Sequence, residues 1–143
     1  MPGPEQSVLR SLGAIVHVVL PATVENRLRE VSRLLLSTSV TGGTAIVALD
    51  GELDLAGAAA LEQELALPEA DSARAIVLDL RRVRFMDSSG LRVIVVTLQQ
   101  SQERGRRFAL VPGAAQVMRV FDITRMRERL DFVDDPREVV EEP

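Results

Sequence analysis

The segment at residues 75–80, Ala-Ile-Val-Leu-Asp-Leu, is a nearly unbroken apolar run between charged neighbours, and it constrains the fold more than any other stretch. A run so short and so apolar suits a central strand covered on both faces. Parallel neighbours of such a strand need crossover connections, so helical segments are expected around it. Residues 88–103 supply one, with Leu91, Ile94, Val95 and Leu98 on a single helical face. Within it, Val93-Ile94-Val95-Val96-Thr97 is β-branched and by propensity alone would form a strand. The segment runs on unbroken through residues 99–103, too long for a typical strand, so spacing overrides propensity. Gly105 then stops the helix, and residues 106–111 read as the next strand.

The same alternation extends both ways. Residues 34–39 and 44–50 read as a hairpin joined by Thr41-Gly42-Gly43, with Gly51 breaking its second strand. Asp54 caps a helix over 55–67 that carries Ala58, Leu61 and Leu65 on one face and ends at Pro68. Residues 81–87 read as a connection, 114–123 as a third helix, 130–133 as a last short strand and 136–142 as a polar tail open to helix. The order predicts an α/β fold: a mixed β-sheet of about five strands with helices packed against it. Residues 1–33 differ, with Pro2, Pro4 and Pro21 as punctuation and Val24, Leu28, Val31 and Leu35 at helical spacing. They read as an N-terminal extension to a domain at 34–143, and three alternatives stay open: an amphipathic docking helix, a disordered arm, or residues upstream of the true start codon.

Composition removes several function classes. The chain of 143 residues has no cysteine, so disulfides and thiolate metal ligands are excluded and a cytoplasmic location is expected. The apolar run at 14–20 is far shorter than the roughly 20 residues of a membrane span, and it lacks the flanks of a signal peptide. Net charge is −4, without the positive excess that a nucleic-acid backbone demands. All 17 basic residues are arginine, from which no function follows. No phosphate-cradling glycine loop, paired-histidine metal motif or nucleophile elbow occurs, and the single histidine, His17, sits in an apolar stretch outside the domain. The expectation is a binding protein without cofactor or metal rather than an enzyme.

Asp87-Ser88-Ser89-Gly90 opens the helix at 88 after the apolar pair Phe85-Met86. Asp and Ser are favoured N-caps, worth about 1 kcal/mol, and that alone explains one polar residue. Two further serines exceed what capping requires, and a hydroxyl at a helix N-terminus is a favoured place for a phosphate. The stretch Phe85-Met86-Asp87-Ser88-Ser89-Gly90-Leu91 resembles the signature of the anti-sigma-factor antagonists, whose fold is the STAS domain, and Gly51-Glu52-Leu53-Asp54 resembles that family's second landmark. The strand and helix order fits the resemblance from residue 34 to 133.

The resemblance implies a partner-switching cycle. An unphosphorylated antagonist binds an anti-sigma factor with serine kinase activity and frees the sigma factor; phosphorylation releases the antagonist, and a serine phosphatase resets it. By the match to the motif, Ser88 is the phosphate acceptor, Asp87, Ser89 and Gly90 are its neighbours on the partner-binding surface, and Asp54 lies at that surface too. The alternative is a STAS accessory subunit of a transport or lipid-trafficking complex, in which Ser88 and Ser89 merely cap a helix. Arg92 stands where the family most often has glycine, one turn beyond Ser88, where it is expected to face the partner and either to pair with the phosphate or to select an acidic patch. Arg81, Arg82 and Arg84 make the preceding stretch basic, suited to a phosphate or an acidic partner, although such runs are commonly just solvated. Thr124-Arg125-Met126 and the short tail also depart from the family pattern.

Overall fold

The computed structural model describes residues 15–19 and 25–140, with side chains from residue 27 onward. Strands β1 (Ile15–Val19), β2 (Glu25–Val31), β3 (Leu34–Thr41) and β4 (Thr44–Leu53) form an antiparallel meander. Strands β5 (Ala75–Met86), β6 (Arg107–Val111) and β7 (Asp131–Phe132) then each run parallel to the strand before, so one mixed sheet holds seven strands in chain order. Helices α1 (Leu55–Leu65) and α2 (Pro68–Asp71) join β4 to β5, α3 (Ser88–Arg104) joins β5 to β6, and α4 (Ala115–Ile123) leads through a 3-10 turn at Met126–Glu128 to β7. A short α5 (Arg137–Val140) ends the described chain.

The α/β class holds, with seven strands where about five were expected. The two extra strands precede residue 34. The helical spacing of Leu28, Val31 and Leu35 is not a helix: β2 pairs with β3 through Leu28↔Ser37 and Val31↔Leu34, and both Leu28 and Leu35 are exposed. The alternation of β2 is hidden because the residues it turns toward α1 are arginines. Arg29 donates to the Ala60 carbonyl and to Gln63, and Arg27 lies 3.7 Å from the carboxylate of Glu64, which is buried and also accepts from the Thr38 hydroxyl at 2.8 Å. Val24 and the residues before Ile15 lie outside the described residues.

Residues 81–86 are likewise strand rather than connection. β4 continues past Gly51 and carries β5 with it, pairing Asp50↔Arg82, Gly51↔Val83 and Leu53↔Met86 across two register irregularities. Gly51 makes this possible: its φ of +129° and the closeness of the Arg33 carbonyl leave no room for a Cβ, while the next amide, of Glu52, donates to that same carbonyl at 2.9 Å. The strand therefore bends there without ending.

The two sheet faces are unequal. Helices α1, α3 and α4 cover one, where Leu36, Leu49, Leu53, Leu61, Ile76, Leu78, Leu80, Ile94, Leu110 and Phe121 are fully buried. Burying each such side chain contributes about 2 kcal/mol relative to exposure. The other face has a smaller cluster, Val77, Ala109 and Val111 beneath Val133 and Val139, under the C-terminal segment. In α3 the buried stripe is Gly90, Val93, Ile94, Thr97, Leu98 and Ser101; the Thr97 hydroxyl donates to the Val93 carbonyl at 2.7 Å, which satisfies a buried polar group inside the helix.

Candidate functional site

The parallel pairing of Leu53 with Met86 brings the carboxyl ends of β4 and β5 side by side, and each strand passes into a helix through a single aspartate. Asp54 caps α1 by accepting from the Gly57 amide at 2.9 Å. Asp87 caps α3 by accepting from the Ser89 amide at 2.8 Å, and its own amide donates to the Leu53 carbonyl at 3.4 Å. The sheet register thus places Asp54, Asp87, Ser88 and Ser89 on one end of the molecule.

Because Asp87 supplies the cap, neither serine hydroxyl is needed for it. Ser88 is exposed at the first position of α3, and its hydroxyl makes no hydrogen bond among the described residues. Ser89 is half-buried, and its hydroxyl is also without a partner there. Gly90 was expected on the partner surface but is buried instead: a Cβ there would stand 2.8 Å from Leu53 Cγ and from Met86 Cγ. Its part is to let α3 lie close against the ends of β4 and β5.

Arg92 is exposed on α3, one turn beyond Ser88, and has no ion-pair or hydrogen-bond partner among the described residues. The arginines of β5 are committed elsewhere. Arg81 grips Asp79 through Nε at 2.9 Å and Nη2 at 2.7 Å, a hydrogen bond that raises its guanidinium further above its ordinary value. Arg82 and Arg84 converge on Asp50 at 3.8 and 3.1 Å. Three arginines thus face two carboxylates, which leaves the run one positive charge in excess, carried on the exposed side chains of Arg82 and Arg84. At the far end of α3, Arg104 pairs with Asp71 at 2.7 Å and Arg106 donates to the Asp71 carbonyl at 2.9 Å, which ties the helix to α2.

Two residues beside the site escaped sequence reasoning. Leu55, next to Asp54, is 73% exposed, and Phe85, two before Asp87, is 47% exposed. Leu55 is the first residue of α1, directly after its cap. Phe85 pairs with Glu52 after the second register irregularity, which turns it outward. Among the described residues no three acidic or imidazole groups gather as metal ligands, and no helix is long and apolar enough to cross a membrane.

The STAS domain family model matches residues 36–139. RsfB of Mycobacterium tuberculosis, an anti-sigma-F factor antagonist, is 40% identical over 58 residues, 41% of this chain and 48% of that protein, so the chain spans about half the length of this relative. The anti-sigma-B factor antagonist of Bacillus subtilis is 32% identical over 86 residues, 60% of this chain and 78% of that one. Among solved structures, the anti-sigma factor antagonist SpoIIAA in its unphosphorylated form superposes with a TM-score of 0.60 at 20% identity, over 81% of this chain and 93% of that one. SpoIIAA of Bacillus in its phosphorylated form gives 0.56 at 19% identity, over 81% and 96%. At these identities the structures speak for the fold alone.

Proposed function

The chain belongs to the STAS domain family, and from that premise we propose that it is an anti-sigma-factor antagonist switched by phosphorylation at Ser88. In this reading the acting domain is residues 34–143, residues 1–33 are an extension that adds β1 and β2 to the edge of its sheet, and the protein works in the cytoplasm. Its unphosphorylated form binds an anti-sigma factor with serine kinase activity; a serine phosphatase restores that form. The chain is substrate rather than enzyme, with the catalytic base supplied by the kinase.

The observation that carries the reading is the exposed hydroxyl of Ser88, without a partner among the described residues, beside a cap already provided by Asp87. A serine kept only to cap α3 would hold a backbone amide. A phosphate at this position would add about −1.5 to −2 charges next to the Asp87 carboxylate, on an end of the molecule that also exposes Leu55 and Phe85. Repulsion and the desolvation of that charge would expel a partner seated on it. The names of the relatives, antagonists of anti-sigma-F and anti-sigma-B factors, support the same partner class.

The test is a pull-down with Ser88→Ala against Ser88→Asp. The expected result is an anti-sigma kinase retained by the first and lost by the second. Transporter or lipid-trafficking subunits retained equally by both would replace this reading with the accessory-subunit one.

A further inference from the structure

We propose that Arg92 is the residue through which phosphorylation of Ser88 is read: its guanidinium is offered to the partner while Ser88 is unmodified and closes onto the phosphate once that is added. One modification then changes the surface twice, adding negative charge and withdrawing a positive one. The inference rests on the reading of Ser88 as phosphate acceptor and concerns the regulation of that same site.

Three observations lead to Arg92. Ser88 and Arg92 lie four residues apart in the first turns of a helix of 17 residues, where side chains at that spacing are neighbours, and an acidic group N-terminal to a basic one is the favourable order. Arg92 makes no ion pair or hydrogen bond among the described residues, and Asp87, five residues before it, already accepts from the Ser89 amide. The other arginines of β5 and of the turn before β3 already face a carboxylate: Arg33 faces Glu52, Arg81 faces Asp79, and Arg82 and Arg84 share Asp50. Arginine suits the task, because its planar fork can give two parallel hydrogen bonds to a phosphate.

The modification itself balances without further reagents. The Ser88 hydroxyl oxygen attacks the γ-phosphorus of ATP held by the kinase; the new O–P bond forms as the bond to ADP breaks, and the hydroxyl proton passes to a base of the kinase. Arg92 then changes partner without any covalent step.

The experiment uses the full chain with phosphoserine incorporated at position 88 during synthesis, so that no kinase is required. The second ionisation of the phosphate, near pH 6 for a free phosphoserine, is followed by phosphorus NMR in the parent and in Arg92→Gln. Arg92 favours the dianion, so the parent is expected to titrate about 0.3 unit lower than Arg92→Gln, roughly twofold in the acid constant. The gap should be retained largely by Arg92→Lys and should close at about 1 M salt. Identical titrations of parent and Arg92→Gln at low salt would overturn the proposal. Failure of Ser88 as a kinase substrate would appear only in a separate phosphorylation assay, so the two ideas fail independently.

Discussion

Two strand-to-helix junctions stand next to each other in this sheet, built on the same plan but different in what they display. At both, an aspartate caps the helix: Asp54 accepts from the Gly57 amide and Asp87 from the Ser89 amide. Each also has a buried glycine in its first turn, for a Cβ on Gly57 would stand 2.7 Å from the Glu52 carbonyl and one on Gly90 would press into Leu53 and Met86. At the first junction the residue after the cap is an exposed leucine, Leu55; at the second it is an exposed serine, Ser88. The fold therefore needs the aspartate and the glycine, and it makes no demand on the residue that directly follows the aspartate. What stands in that position is free to serve recognition.

The comparison breaks most visibly at the glycines. Gly90→Val should cost about 2–3 kcal/mol in denaturant unfolding, because Leu53 and Met86 have no space to yield; a loss below about 0.5 kcal/mol would show that α3 can lift from the strand ends. Next in size is the apolar display. Leu55→Ser and Phe85→Ser should leave stability within about 0.5 kcal/mol yet weaken binding of the kinase partner by about 1–2 kcal/mol each in calorimetry. Unchanged affinity in Leu55→Ser alone would confine recognition to the second junction. The caps come third, with Asp54→Ala and Asp87→Ala each expected to lose about 1 kcal/mol of stability. Smallest is Ser88→Ala, whose melting curve should match the parent within about 0.5 kcal/mol because the exposed hydroxyl has no hydrogen-bond partner among the described residues.

Much of this site was legible before the structure. Asp54 and Asp87 announce caps by residue type and position, and α3 was readable as a helix despite its β-branched centre because Leu91, Ile94, Val95 and Leu98 keep helical spacing. The stripe was nonetheless read a little off axis: Val93 and Thr97 are buried whereas Leu91 and Val95 are only partly so. The second half of β5 stayed hidden because Arg81, Arg82 and Arg84 interrupt its alternation, and Asp50, the partner shared by Arg82 and Arg84, becomes evident only once β4 lies alongside. β2 was hidden for a related reason. Its inward residues are charged, and the buried carboxylate of Glu64 that receives Arg27 comes from a helix more than thirty residues later. Local pattern encodes hydrophobic burial well; ion pairs that close across the sheet leave no local trace.

The central claim is that the Ser88 hydroxyl is displayed for modification, and mapping the phosphate tests it most directly. The purified chain is incubated with ATP and each serine-kinase anti-sigma factor encoded in its genome, and the modified residue is located by mass spectrometry. The account predicts a single phosphate on Ser88 with one cognate kinase, abolished in Ser88→Ala and retained in Ser89→Ala. Phosphate on Ser89 or elsewhere, or none with any of these kinases, would contradict it.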